Sequence, residues 1–145
     1  MKSQSSHSRP RMIASGVAVV FGILTIASGG RALFGGAAAQ AAAGDAVPFV
    51  LWFNFLSGFA YVLAGIGLWL PRRWAVWLAV SIAVSTLLTF AAFGVHMYSG
   101  GAYEQRTVVA MSLRSLVWLA IAAFAWRLTE VGGAAKAPSH NPEVV

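Results

Sequence analysis

A cationic residue inside an apolar run is the first feature that could do chemistry. Arg114 interrupts the stretch from Thr107 to Trp126, seven residues past Thr107. At 1.5 Å of helical rise per residue it stands about 10 Å into the run. A guanidinium at that depth in a bilayer costs about 2.5 kcal/mol or more, so it must face a bundle interior and find a partner. Asn54 stands six residues past Pro48, Thr89 seven before His96, and Thr25 six before Arg31. Each is at a depth comparable to Arg114 in its own run. The expectation is a polar layer with Arg114 paired to Asn54, Glu104 or a backbone carbonyl.

Beyond that layer, at the ends of the runs, lie Arg31, His96, Tyr98, Tyr103, Glu104 and Arg106. Two accounts fit. In the plainer one, Glu104 neutralises Arg114 or Arg106 and pins a loop, with its carboxylate favoured near a helix N-terminus. In the sharper one these residues build a pocket with a cationic floor and aromatic walls. Such a pocket suits an anion, a quinone carbonyl or a lipid headgroup. One His with Met97, Met111 and Glu104 falls short of a haem or copper site, which needs ligands on facing helices. There is no Cys, no HExxH and no phosphate-binding loop, so conventional enzyme chemistry has no anchor.

The elements that position these residues follow from composition. Hydrophobic residues make up 59% of the 145 and charged residues 10%, against about 25% charged in soluble domains. Mean hydropathy is +0.74. A soluble fold could not cover its surface with so few charges. Apolar runs of about 20 residues cross a bilayer as helices, and the runs place four spans near 12–33, 48–70, 74–96 and 107–126. Pro71-Arg72-Arg73 makes a minimal turn between the second and third. Residues 34–47 read as a Gly- and Ala-rich loop, and 97–106 as a shorter one.

Orientation follows from the basic residues. Lys2, Arg9, Arg11, Arg72, Arg73, Arg127 and Lys136 fall on one side; Arg31 and Arg106 fall on the other. This bias puts both termini in the cytoplasm and accounts for the net charge of +6 without nucleic acid. Residues 1–11 then form a basic tail, 12–127 the membrane domain, and 128–145, with Gly132-Gly133, Pro138 and Pro142, a mobile cytoplasmic tail. The first span has a rival reading as a cleaved signal peptide, but its apolar run is long and the A-x-A sites lie far from its centre.

Small residues share faces at helical spacing. They are Ala14, Ala18, Gly22, Thr25 and Gly29 in span one, and Asn54, Gly58, Tyr61 and Gly65 in span two. Ser81, Ser85, Thr89, Ala92 and His96 do the same in span three. Small faces let helices approach closely. A polar path along the third stripe is the functional alternative. Leu24-Thr25-Ile26-Ala27 with Gly30, and Leu88-Thr89-Phe90-Ala91 with Gly94, align as a candidate repeat of two helical hairpins.

Gly58-Phe59-Ala60-Tyr61-Val62-Leu63-Ala64-Gly65-Ile66-Gly67-Leu68, then Pro71-Arg72-Arg73-Trp74-Ala75, resembles the DoxX-like group of small four-helix bacterial membrane proteins. Length and four-span layout match as well. The group often has an acid where this chain has Asn54. Some members of that group are small subunits of quinone- or sulfur-linked redox complexes and many have no known role, so the resemblance implies such a subunit as one alternative.

The expected protein is thus an all-α, four-transmembrane-helix bundle of the bacterial inner membrane, both termini cytoplasmic. Its expected role is a non-enzymatic accessory subunit whose polar layer meets a lipid, a membrane-protein partner or a second copy. A redox-associated subunit binding quinone is one alternative. An oligomeric small-solute transporter is another.

Overall fold

The computed structural model describes residues 8–70 and 72–134. The element order is α1 (Ser8–Phe34), α2 (Gly36–Ala43), α3 (Pro48–Trp69), α4 (Arg73–Tyr98) and α5 (Gln105–Ala134), with no strand among the described residues. Four of these are long and apolar enough to cross a membrane: Arg9–Phe34, Pro48–Trp69, Arg73–Tyr98 and Gln105–Arg127. The chain is a multi-pass helical protein suited to a bilayer. The N-terminal tail up to His7 and the segment after Ala134 lie outside the described residues, as does the expected mobility of the latter.

Two boundaries differ from the sequence expectation. Residues 34–47 are not simply a loop, because Gly36–Ala43 winds into a helix. Six of its eight residues are alanine, the best helix former. The breaks at Gly35 and Gly44 separate it from α1 and α3. In addition, α5 runs on to Ala134, past the expected end near 126, since nothing in Leu128–Val131 stops a helix.

α1 packs antiparallel on α3 through a seam of small residues. Ser15 donates its hydroxyl to the Gly65 carbonyl at 2.6 Å. A Cβ placed on Gly22 would lie 2.8 Å from the Gly58 carbonyl oxygen, and one on Gly58 3.1 Å from that of Gly22. Ser15 to Gly22 and Gly58 to Gly65 are each one heptad, so the contacts recur on one face. Expectation and structure agree on Gly22, Gly58 and Gly65, while Ser15 takes the place given to Ala14.

α3 turns into α4 within three residues. α4 then lies between α3 and α5, presenting Ala75, Ala79 and Ala83, all buried. At the opposite end, Gly101 closes the α4–α5 loop against the His96 ring, where any Cβ would collide. Leu24, Leu63, Leu88 and Leu116 stand exposed, whereas Ser15, Thr25, Thr86, Arg114 and Ser115 are buried. Leucines outside and polar groups inside is the arrangement a hydrocarbon solvent favours.

Candidate functional site

Two apolar clusters fill the bundle. The larger holds Ala64, Leu68, Ala79, Ile82, Ile121 and Ala125, and reaches Tyr61 and Trp118. The smaller holds Val47, Val50, Phe93 and Met111. Arg114 falls between them. Met111 lies three residues before it and Trp118 four after, which places all three on one face of α5. The guanidinium thus stands where the two apolar clusters meet.

Arg114 is only 7% exposed. Its Nη1 donates to Asn54 Oδ1 and lies 3.6 Å from the Met111 sulfur. Its Cζ stands 5.9 Å from the centre of the Phe21 ring, within the range of cation–π attraction. All these partners are neutral. Among the described residues the one ion pair is Arg106 with Glu104, at 3.4 Å.

Around the guanidinium is a cluster of buried side chains. Tyr61 stacks on Phe21 at 5.9 Å and tilts against Trp118 at 4.5 Å. The Tyr61 hydroxyl lies near Thr86, Ser57 and Arg114, yet makes no hydrogen bond of proper geometry. The same is true of Thr86 Oγ1, Arg114 Nε and Trp118 Nε1. Buried polar atoms almost always have partners; the Tyr61 and Thr86 hydroxyls lie within reach of each other, so Arg114 Nε and Trp118 Nε1, one turn apart on α5, are the donors that call for an explanation. Neighbouring hydroxyls are satisfied within their own helix. Ser115 donates to Met111 O at 2.8 Å and Ser112 to Val108 O at 2.9 Å, a common outcome for Ser in membrane helices.

Of the expected site residues, Arg114 and Asn54 are brought together. Thr89 is not part of this centre; its hydroxyl is spent on Ser85 O at 2.9 Å. Thr86, on the adjacent turn and fully buried, takes its place. Glu104 stays in the α4–α5 loop, paired with Arg106 and accepting the Asp45 N–H at 3.2 Å. This is the plainer account of that carboxylate, with Arg106 rather than Arg114 as partner. His96 bonds the Ala102 carbonyl at 3.1 Å and meets the Phe49 ring edge-on. Tyr103 rests against Phe93. Arg31 is exposed and Tyr98 is 95% exposed. His96, Tyr103, Glu104 and Arg106 thus organise a loop, and Arg31 and Tyr98 do not close a pocket over it.

Tyr61, Thr86, Trp118 and Phe21 were not singled out as site residues from sequence. One signal was present. Trp52, Trp69, Trp74, Trp77 and Trp126 sit near helix ends, whereas Trp118 lies mid-run, four residues from Arg114. Buried Trp in such a place needs a partner for its N–H.

Chemically, the centre offers a surplus of donors. The Arg Nε–H and Trp Nε1–H only donate, while the Tyr and Thr hydroxyls donate or accept. It suits an acceptor oxygen, neutral or anionic. Among the described residues no three His, Asp or Glu side chains gather to hold a metal ion. Fold and site together define a four-helix membrane protein with a buried cationic centre. No protein-family model, curated protein or solved structure matches the chain.

Proposed function

We propose that this chain is a non-enzymatic accessory subunit of a bacterial inner-membrane complex, with both termini cytoplasmic, and that the Arg114 centre holds a lipid or partner component. The observation that carries this reading is the neutral company of Arg114. A nearly buried guanidinium with one amide oxygen, a thioether and a ring face lacks the counter-charge such a group calls for. An external component supplies it. Buried ionisable groups in spans mark functional sites by default, and Glu104, occupied by Arg106, leaves the position open.

A quinone is the second reading, consistent with the DoxX-like resemblance. Donors beside stacked Tyr61 and Trp118 favour it, since a planar ring with carbonyl oxygens would use both.

Affinity capture of the tagged full chain in mild detergent, with mass spectrometry of accompanying proteins and lipids, tests the proposal. A defined component should accompany the wild type and Arg127→Leu, and be depleted with Arg114→Leu. A wild-type chain that carries nothing beyond bulk lipid would overturn it.

A further inference from the structure

We infer that the component held at Arg114 is a single-chain acidic lipid, with its carboxylate on the guanidinium and its acyl chain along α1. This rests on reading Arg114 as a recognition site and adds the chemical class of what it recognises.

Three observations converge. The first is charge. Asp45 and Glu104 are the acids nearest the α2 end of the bundle; Glu104 is taken by Arg106 and Asp45 is exposed in its loop. Glu130 lies sixteen residues further along α5, about 24 Å away by helical rise. The positive charge at the centre is therefore unmatched among the described residues, which favours an anion over a neutral carbonyl.

The second is donor geometry. Arg114 Nε and Trp118 Nε1 are buried, unpartnered and unable to accept. A carboxylate is acceptor-only, and its two oxygens match the guanidinium fork. The Tyr61 and Thr86 hydroxyls beside it can turn to donate.

The third is shape. A shallow apolar depression, largely open on its outer side, runs along α1 over Gly16, Val17, Val20, Phe21 and Leu24. Its lining is aliphatic apart from Phe21. That ring is shared, because it also lies 5.9 Å from the Arg114 guanidinium. An apolar helix face that shares a ring with a buried cation matches the polarity of a fatty acid, apolar along its length and anionic at one end. In this proposal the Phe21 ring turns aside to let the carboxylate reach the guanidinium.

The test is equilibrium binding of radiolabelled palmitate and of methyl palmitate to the full chain in phosphatidylcholine nanodiscs, with empty discs as blank. Palmitate should bind saturably and the ester should not. Arg114→Gln should weaken palmitate by about thirtyfold or more. Arg114→Lys should retain part of the binding, since the charge remains without the fork. Val20→Trp covers this α1 face from an exposed position, outside the polar cluster. It should weaken binding in a chain whose helix content is unchanged. Equal binding of ester and acid would overturn the inference, as would no saturable palmitate binding, or undiminished binding by Val20→Trp. A wild type that captures a protein or a quinone yet binds no palmitate removes this inference and leaves the accessory-subunit proposal standing.

Discussion

Replacing Arg114 and Asn54 together by apolar side chains separates a recognition site from a structural clasp. In Arg114→Met/Asn54→Leu the charge and its hydrogen-bond partner disappear at once, so neither is left orphaned. Removing both partners of a buried hydrogen bond is close to neutral. The cation–π contact with Phe21 is lost, at about 2 kcal/mol for a desolvated pair. Against this, the cost of a mid-span Arg, about 2.5–3.5 kcal/mol, is relieved. The balance predicts a double variant about 1 kcal/mol more stable than the wild type. The assay is reversible unfolding in mixed micelles, titrated with a denaturing detergent and followed by tryptophan fluorescence. Arg114→Met alone should gain less, because it leaves Asn54 Oδ1 without its donor. A double variant destabilised by a similar amount would refute the reasoning, for then the Arg114–Asn54 pair is what holds α3 to α5.

Gly58→Ala should destabilise the α1–α3 seam by about 1–3 kcal/mol, since its new Cβ would lie 2.6 Å from Ile26 Cγ1 and 3.1 Å from the Gly22 carbonyl oxygen. Gly94→Ala, with nothing within 4 Å of the new Cβ, should be neutral or stabilising in the same unfolding assay. Equal effects would contradict the close approach. Glu104→Gln removes an ion pair whose Arg106 side chain is 70% exposed, so the same assay should read a change of no more than about 1 kcal/mol. Reporter fusions at both termini should report a cytoplasmic location; an active alkaline phosphatase at the C-terminus would refute the proposed orientation.

The membrane spans were readable because the information is redundant. Each apolar run is long, and charges such as Arg72, Arg73 and Glu104 fall between runs. The Arg114–Asn54 pairing was readable for a related reason, since a charge in hydrocarbon leaves few options and depth restricts the partners. The rest of the site was not. Thr89 and Thr86 are chemically alike and three residues apart, so about 60° of rotation and about 4.5 Å of depth on α4 decide which faces the interior; one sequence holds no signal for it. Tyr61 counted as one more member of a small-residue stripe. That its ring lies between Phe21 and Trp118 depends on how far α3 and α5 stand apart, a tertiary quantity. The Gly36–Ala43 helix was missed because flanking glycines suggested a loop, although alanine propensity dominated between them.

The most direct test of the central claim is native mass spectrometry of the chain and of Arg114→Met/Asn54→Leu, released from the same membranes in mild detergent. The account predicts a defined bound species on the wild type, and a folded double variant without it. Identical spectra, with the same species on both or none on either, would contradict the claim that Arg114 is a recognition site.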